Sequence, residues 1–209
     1  VFAGGAVVEP LRRVGDAPKK TTGTRLRAWP DPSFFDSPTI PLPQLERLLR
    51  SKALLLPGLQ VSLTVEDGAS SEWCFAKGMV QYLSEQLDAE MVAPVFSSEK
   101  YVAKGDETFP FGSGAAWAIC WTAEGALARE SYVNLIPTTA GGTHEAGLRQ
   151  ATLDAIRSFA EHHALLPKGV KLAAEDVFAR ASFVLAVRML DPSFQGQTKE
   201  RLNSRDAVA

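Results

Sequence analysis

The sequence is short of the residues that build several common kinds of functional site. Among 209 residues there are only two cysteines and three histidines. Cys74 and Cys120 lack the spacing of a metal-binding motif and do not suggest a disulfide framework, so free thiols in a reducing cytosol are expected. His144, His162 and His163 all fall on or beside one predicted helix, with no serine or cysteine motif. Neither a nucleophile–base pair nor a bound metal is therefore predicted.

Neither sign of charge dominates. The chain has 22 lysines and arginines against 24 acidic residues, a net charge of -2. Domains that bind nucleic acid over a broad surface usually show a clear basic excess, so any contact with DNA would be local or made by other parts of an assembly. No apolar run approaches the roughly 20 residues that a membrane helix needs, and no signal segment opens the chain. A cytoplasmic protein with no membrane partner is expected.

What is present is typical of a globular protein, since 45% of the residues are hydrophobic and 22% are charged. The chain opens on Val1 rather than methionine, and we expect it to be a piece of a longer protein. Alternating residues predict a strand over 25–29, and leucines at helical spacing predict a helix between Pro41 and Pro57. A strand over 59–65 and a turn follow, and the polar stretch 69–71 reads as a linker. We therefore place a domain boundary near residue 72.

The second half predicts a short helix and then the order strand, strand, helix, helix, strand. Its expected elements are a short helix with Met79, Tyr82, Leu83 and Leu87 on one face, neighbouring strands over 115–122 and 131–136 joined by a turn at Gly125, a helix over 144–162 with Thr143 as N-cap and Leu148, Thr152, Ala155, Ile156 and Phe159 facing inward, a helix over 173–180, and a strand over 181–190. This order favours a mixed α/β domain with its helices on one face of a sheet.

The loop that follows the last strand carries Gln197 and Lys199 beside Gly196. A lysine in such a loop can place its charge on a terminal phosphate, and an amide two residues away can donate to the same oxygens. Most Gln-x-Lys turns are simply solvated surface loops, and that alternative stays open here. Gly141 and Gly142, just before a helix, could likewise receive an anion or only allow a tight crossover.

Several segments in consistent order resemble one known family, the B subunits of bacterial type II DNA topoisomerases. The segments that carry the resemblance are 22–24, 29–31, 34–35, 130–138, 141–144, 147–149, 191–194 and 196–199. Within the family, residues 131–137 and 197–202 look more like the topoisomerase IV branch (ParE) than the gyrase branch. The resemblance covers nearly the whole chain.

The resemblance implies an α+β fold with two parts. Residues 1–72 would be the C-terminal part of a GHKL-type ATPase α/β sandwich, and residues 73–209 would be a transducer domain similar to ribosomal protein S5 domain 2. By the same resemblance Thr24 helps to recognise adenine, with Leu26 lining that pocket. Gln197 and Lys199 would contact the γ-phosphate of ATP, with Lys199 in a catalytic role.

The resemblance also implies a function, namely ATP-dependent DNA strand passage by a type II topoisomerase, which relaxes and decatenates DNA. The expected cofactors are ATP and Mg²⁺, and the expected partners are DNA, the A subunit of topoisomerase IV (ParC) and a second copy of the chain. The family's catalytic glutamate and magnesium-binding asparagine match no residue here, so the 209 residues alone are expected to be inactive. The alternative is a non-enzymatic S5-like module that binds nucleic acid or protein.

Overall fold

The computed structural model describes the chain apart from residues 17, 19–22, 25, 38, 67, 88–89, 105–108, 127, 168 and 209, and it gives only the backbone of residue 86. The described chain divides into two compact units, residues 1–46 and residues 47–209.

The first unit contains little regular structure. Its two strands, β1 (Phe2–Ala3) and β2 (Ala6–Val7), form a short antiparallel hairpin. Residues 26–30 are not a strand, so the strand expected over 25–29 is wrong for the part that can be described. Alternation produces a strand only where a neighbouring strand pairs with it, and no such partner is found among the described residues of this unit.

The second unit is built around a five-stranded mixed sheet. The elements of the rest of the chain are α1 (Leu42–Leu55), β3 (Val61–Thr64), β4 (Ser70–Trp73), α2 (Gly78–Gln86), β5 (Phe96–Tyr101), β6 (Gly114–Trp121), β7 (Arg129–Val133), β8 (Ile136–Pro137), α3 (Thr143–His162), α4 (Ala174–Phe178), β9 (Ala181–Arg188), β10 (Phe194–Gln195), β11 (Arg201–Leu202) and a 3₁₀ helix (Arg205–Val208). The large sheet has the order β5-β6-β9-β7-β8, and only the β7–β9 pair is parallel.

Strand β9 occupies the centre of the sheet. It pairs with β6 along its full length and with β7 on its other edge. The expectation that β6 and β7 are neighbours is therefore wrong. The physical reason lies in the run Ala181–Leu185, whose five residues are all buried, as is usual for a strand covered on both faces.

Helices cover both faces of the sheet, whereas the sequence predicted helices on one face. Alternate residues of a strand point to opposite faces, and two buried clusters follow that alternation. Ala118 and Val184 pack with residues of α1 and α2, while Ile119 and Phe183 pack with residues of α3 and α4. The result is a helix–sheet–helix arrangement.

The predicted linker at residues 69–71 is wrong. Residues 70–73 form β4, which pairs with β3 in register from Val61–Trp73 to Thr64–Ser70. The polar side chains that suggested a linker belong to a small two-stranded sheet whose alternate positions are exposed. The helices before and after this hairpin both contribute buried residues to one cluster.

Polar contacts hold α1 and α2 against the sheet. Lys52 Nζ donates to the carbonyl of Leu135 at 2.6 Å, and burial lowers the pKa of this lysine. The hydroxyls of Tyr82 and Tyr132 both donate to the carboxylate of Glu130. Burial, followed by the Glu130 charge and hydrogen bonds, raises the pKa of both tyrosines. The Lys52 contact connects α1 to the turn after β7, and the Tyr82 contact connects α2 to β7 itself.

Helix α3 begins one residue earlier than predicted. Its N-cap is Gly142, so Thr143 is the first helical residue rather than the cap. The Thr143 hydroxyl instead donates to the Ser204 carbonyl at 2.7 Å. Leu148 is buried as predicted, but the inward face also includes Leu153, and Phe159, predicted to face inward, is 60% exposed.

Candidate functional site

The Gln197–Lys199 loop, residues 196–200, connects the two strands of the β10–β11 hairpin. Both predicted phosphate-binding side chains, Gln197 and Lys199, are exposed. Gly196 has φ = 77° and Lys199 has φ = 60°, a region that residues with a Cβ seldom occupy. Within the described chain no ion pair involves Lys199. The surrounding structure must therefore hold the Lys199 backbone in its left-handed conformation. Its ammonium group is exposed and accessible to a ligand.

Backbone hydrogen bonds fasten the C-terminal side of this loop to the turn before α3. Ala140 N–H donates to the carbonyl of Glu200 at 2.9 Å, and Leu202 N–H donates to the carbonyl of Gly141 at 3.0 Å. The side chain of Leu202 is fully buried. The loop tip is therefore free while its C-terminal stem is anchored.

Gly142 makes this anchoring possible by close backbone approach. A Cβ at Gly142 would lie 2.4 Å from the Leu202 carbonyl oxygen, and its φ of 145° is unfavourable for other residues. Gly142 and Leu202 also form an isolated parallel bridge. Of the two uses considered for the glycine pair, the geometry favours a tight crossover, because the chain's own β11 lies against the start of α3.

A buried set of polar side chains lies beneath the same turn, and the sequence did not reveal it. Ser131 Oγ donates to Glu145 Oε1 at 2.6 Å and lies 2.6 Å from Thr138 Oγ1. Thr138 Oγ1 is in turn 3.0 Å from His144 Nε2. Ser131, Thr138 and His144 are all at most 5% exposed. We refer to Ser131, Thr138, His144 and Glu145 as the polar relay.

His144 is the most perturbed member of the polar relay. Burial lowers its pKa to about 4 from the usual 6.5, and its Nδ1 atom is buried with no hydrogen-bond partner. The sequence contained one signal of this burial: His144, Gly147 and Leu148 fall at the i, i+3 and i+4 positions of one buried helix face. That spacing, rather than any catalytic motif, could have marked this histidine as a core residue.

Thr24, the predicted adenine contact, belongs to the first unit. It is exposed, and its neighbours Thr22 and Arg25 lie outside the described residues. Leu26 is also exposed, at 87%. The role of these two residues in nucleotide binding stays a prediction.

The described residues offer neither a metal site nor a membrane helix. No group of three or more His, Cys, Asp and Glu side chains within them could hold a metal ion. None of the helices in that part of the chain is both long and apolar enough to cross a bilayer.

Comparison with known families decides the relationship. The family model described as DNA gyrase B matches residues 77–209, which include the Gln197–Lys199 loop and the polar relay. The chain belongs to the DNA gyrase B family.

Relatives within the gyrase B family favour the topoisomerase IV branch. The chain is 44% identical over 211 residues to the B subunit of DNA topoisomerase 4 from Salmonella typhimurium, covering 100% of this chain and 32% of that protein. It is also 44% identical over 210 residues to the protein of the same name in Pseudomonas aeruginosa, again with 100% and 32% covered. The chain thus spans about a third of the length of these curated relatives.

Solved structures of the gyrase B family share the fold. The topoisomerase IV ATP-binding domain of Francisella tularensis, solved with a small-molecule inhibitor, has a TM-score of 0.66 and 34% identity, covering 86% of this chain and 47% of that one. The gyrase B ATPase domain of Thermus thermophilus, solved with an aminocoumarin, has a TM-score of 0.77 and 25% identity. This match covers 99% of the present chain and 55% of the Thermus chain. The predicted α+β fold and its resemblance to the family's ATPase region are confirmed.

Proposed function

We propose that this chain is part of an ATP-dependent type II DNA topoisomerase of the topoisomerase IV branch, in which it couples ATP binding and hydrolysis to DNA strand passage. The similarity along the whole chain to proteins named as the B subunit of DNA topoisomerase 4 supports this function. So does the structural similarity to an ATP-binding domain. These matches favour the topoisomerase over a non-enzymatic S5-like binding module.

In this proposal the Gln197–Lys199 loop senses the terminal phosphate of ATP. The observation that carries it is a lysine without an ion-pair partner among the described residues, in a left-handed conformation at the tip of an anchored hairpin. A charge-assisted contact to the γ-phosphate distinguishes ATP from ADP, because that group is lost on hydrolysis. Lys199 would supply the charge, and Gln197 would supply a neutral donor. Loss of the contact would release the loop for a rigid-body rearrangement.

Residues 1–72 would form the C-terminal part of a GHKL-type ATPase domain, and residues 73–209 the transducer. The β3–β4 hairpin lies at this proposed boundary and within the second compact unit. Thr24 would contribute to adenine recognition in the first of these domains. Its exposure, and that of Leu26 beside it, leaves both side chains accessible to a ligand.

The proposed partners follow from the same family relationship. They are DNA, the A subunit of topoisomerase IV (ParC) and a second copy of the B subunit that joins when ATP binds, all in the cytoplasm. ATP would be used with Mg²⁺. The described residues offer no acidic or histidine cluster for a metal, so the proposal assigns magnesium to no residue of this chain.

Replacing Lys199 tests the phosphate-sensing role. In the intact B subunit, Lys199→Ala should lower ATPase and DNA relaxation rates by about tenfold or more, the loss expected for one hydrogen bond to a charged group. Lys171→Ala is the matched control, since it removes another exposed lysine from a different loop. The control should retain normal rates.

Two results would contradict the role of Lys199. If Lys199→Ala keeps both rates within about twofold of the unsubstituted protein, a charge-assisted phosphate contact is not being made. A loss shared equally by Lys171→Ala would show that general charge, rather than this loop, controls the rates.

A further inference from the structure

The direction of hydrogen bonding in the polar relay follows from Ser131, whose hydroxyl lies 2.6 Å from Glu145 Oε1 and 3.2 Å from the Thr138 carbonyl and donates to the nearer of the two. A hydroxyl has one proton to donate, and Ser131 donates it to Glu145 Oε1. Ser131 Oγ then accepts from Thr138, and Thr138 Oγ1 accepts from His144 Nε2–H at 3.0 Å. This order fixes the His144 tautomer and leaves Nδ1 as an unused acceptor.

The polar relay costs more folding free energy than an apolar side chain in the same space would. A buried acceptor without a partner is unfavourable, whereas an apolar side chain of similar size would carry no such cost. His144 is 2% exposed, and burial strongly disfavours its charged form. The polar relay therefore fixes side-chain geometry rather than adding net stability, since each of its hydroxyls is held in one rotamer by the next group.

The relay leads directly to the base of the Gln197–Lys199 loop. The Gly141 N–H donates to the Thr138 carbonyl at 2.9 Å, and the Leu202 N–H donates to the Gly141 carbonyl at 3.0 Å. Glu145 packs on the same turn, because a Cβ at Gly141 would lie 2.9 Å from Glu145 Oε2. From Leu202 the chain leads back through β11 to Lys199. Three consecutive contacts thus connect His144 and Thr138 to the loop.

We infer that the polar relay is a positioning device that sets where the Gln197–Lys199 loop stands when a nucleotide is bound. It fixes the 138–142 turn, the turn fixes Leu202, and Leu202 fixes the stem of the loop. His144, Thr138 and Ser131 contact no nucleotide in this arrangement and act only through the turn. The nucleotide part of this inference rests on the proposed function, whereas the positioning of β11 does not.

Substitutions at Thr138 in the intact B subunit test the device. Thr138→Val removes the hydroxyl from a side chain of the same shape, and Thr138→Ser retains it. The Thr138 hydroxyl makes two buried hydrogen bonds, to Ser131 and to His144. If part of their free energy reaches the loop, their loss should weaken binding of a non-hydrolysable ATP analogue by about fivefold, with ADP binding unchanged. Thr138→Ser should restore analogue binding. In a Lys199→Ala background, Thr138→Val should add no further loss, because Thr138 acts only through the contact that Lys199→Ala has already removed.

Hydrogen exchange gives a second readout that needs no nucleotide. Thr138→Val should speed exchange of the Leu202 amide by about fivefold while the β9 amides keep their protection. If Thr138→Val proves unfolded, Ser131→Ala interrupts the relay one hydrogen bond further on and should give the same two results.

Each failure has a distinct meaning. The inference is overturned if a folded relay variant leaves both analogue binding and Leu202 exchange unchanged while Lys199→Ala weakens the analogue. It is also overturned if the relay variant weakens ADP and analogue equally, or adds its full loss to that of Lys199→Ala. If Lys199→Ala does not weaken analogue binding, the proposed phosphate-sensing role of Lys199 is wrong. In that case, unchanged exchange of the Leu202 amide in the relay variant would show that the positioning role of the relay is wrong as well.

Discussion

His144 shows how one side chain can make a protein sensitive to acid without being a catalytic group. Its folded pKa of about 4 lies below the ordinary value of 6.5 because burial disfavours the charged ring. Between pH 6.5 and pH 4, His144 becomes protonated in the unfolded chain but stays mostly neutral in the folded chain. The stability associated with neutral His144 is therefore present above pH 6.5 and is lost as the pH falls toward 4.

The unfolding free energy of the protein should reflect this titration. Between pH 7 and pH 4 the contribution from His144 should fall by about 3 kcal/mol. His144→Gln retains an N–H that can donate to Thr138 but does not titrate in this range. Urea unfolding at several pH values should give a shallower decline for the variant. Parallel curves for the two proteins would show that His144 is not protonated on unfolding.

Lys199 and Gln197 could be singled out from the sequence because their chemistry is local. An amine and an amide in a glycine-bearing loop suggest anion binding whatever surrounds them. The polar relay could not be found in this way. Its members are separated by up to 14 residues, and they meet only because β7 and the start of α3 are adjacent in the folded chain. Burial converts ordinary serine and threonine side chains into an ordered set.

Among the secondary-structure elements, helices were predicted better than strand order. The spacing of Leu45, Leu48 and Leu49 indicated α1, and Met79, Tyr82 and Leu83 indicated α2, because helical periodicity depends only on near neighbours. The neighbours of β9 depend on which strand best excludes water from both faces. That is a property of the assembled sheet, so the sequence wrongly paired β6 with β7.

The turn before α3 should tolerate no side chain at Gly142. Gly142→Ala combines an unfavourable φ of 145° with a contact of 2.4 Å to the Leu202 carbonyl oxygen, and we expect it to lower the unfolding free energy by roughly 3 kcal/mol. Gly125→Ala separates the two causes, since Gly125 has φ = 114° but no atom within 4 Å of its Cβ position. This control should cost only about 1 kcal/mol.

Thermal unfolding of the two glycine variants provides the measurement, together with exchange of the Leu202 amide. Gly142→Ala should lower the melting temperature more than Gly125→Ala and should expose the Leu202 amide selectively. Equal losses for the two variants would mean that backbone conformation alone matters. Close approach of β11 to α3 would then contribute nothing.

The two compact units differ sharply in how they bury apolar residues. All the described hydrophobic residues that are buried belong to residues 53–202, in the second unit. In the first unit Trp29, Phe34 and Phe35 are each more than half exposed. The proposed domain assignment explains this difference, because the C-terminal part of an ATPase sandwich would pack against the remainder of that sandwich.

Hydrogen exchange on the 209-residue chain and on the intact B subunit should reveal this packing. In the chain alone, amides of residues 26–37 should exchange almost without protection, whereas those of β6 and β9 should be strongly protected. In the intact protein, residues 26–37 should become protected while β6 and β9 change little. Fast exchange of residues 26–37 in both proteins would exclude packing against a larger ATPase domain.

The central position of β9 also has a consequence for biosynthesis. Of the five strands in the sheet it is the last to be translated, yet it separates β6 from β7. Until residue 188 has left the ribosome, β6, which is mostly apolar, and β7 each have an inner edge with no neighbouring strand. The unpaired N–H and C=O groups of such edges can hydrogen-bond to strands of other chains and cause aggregation. Chaperone capture of this stretch should therefore matter most between the emergence of residue 133 and that of residue 188.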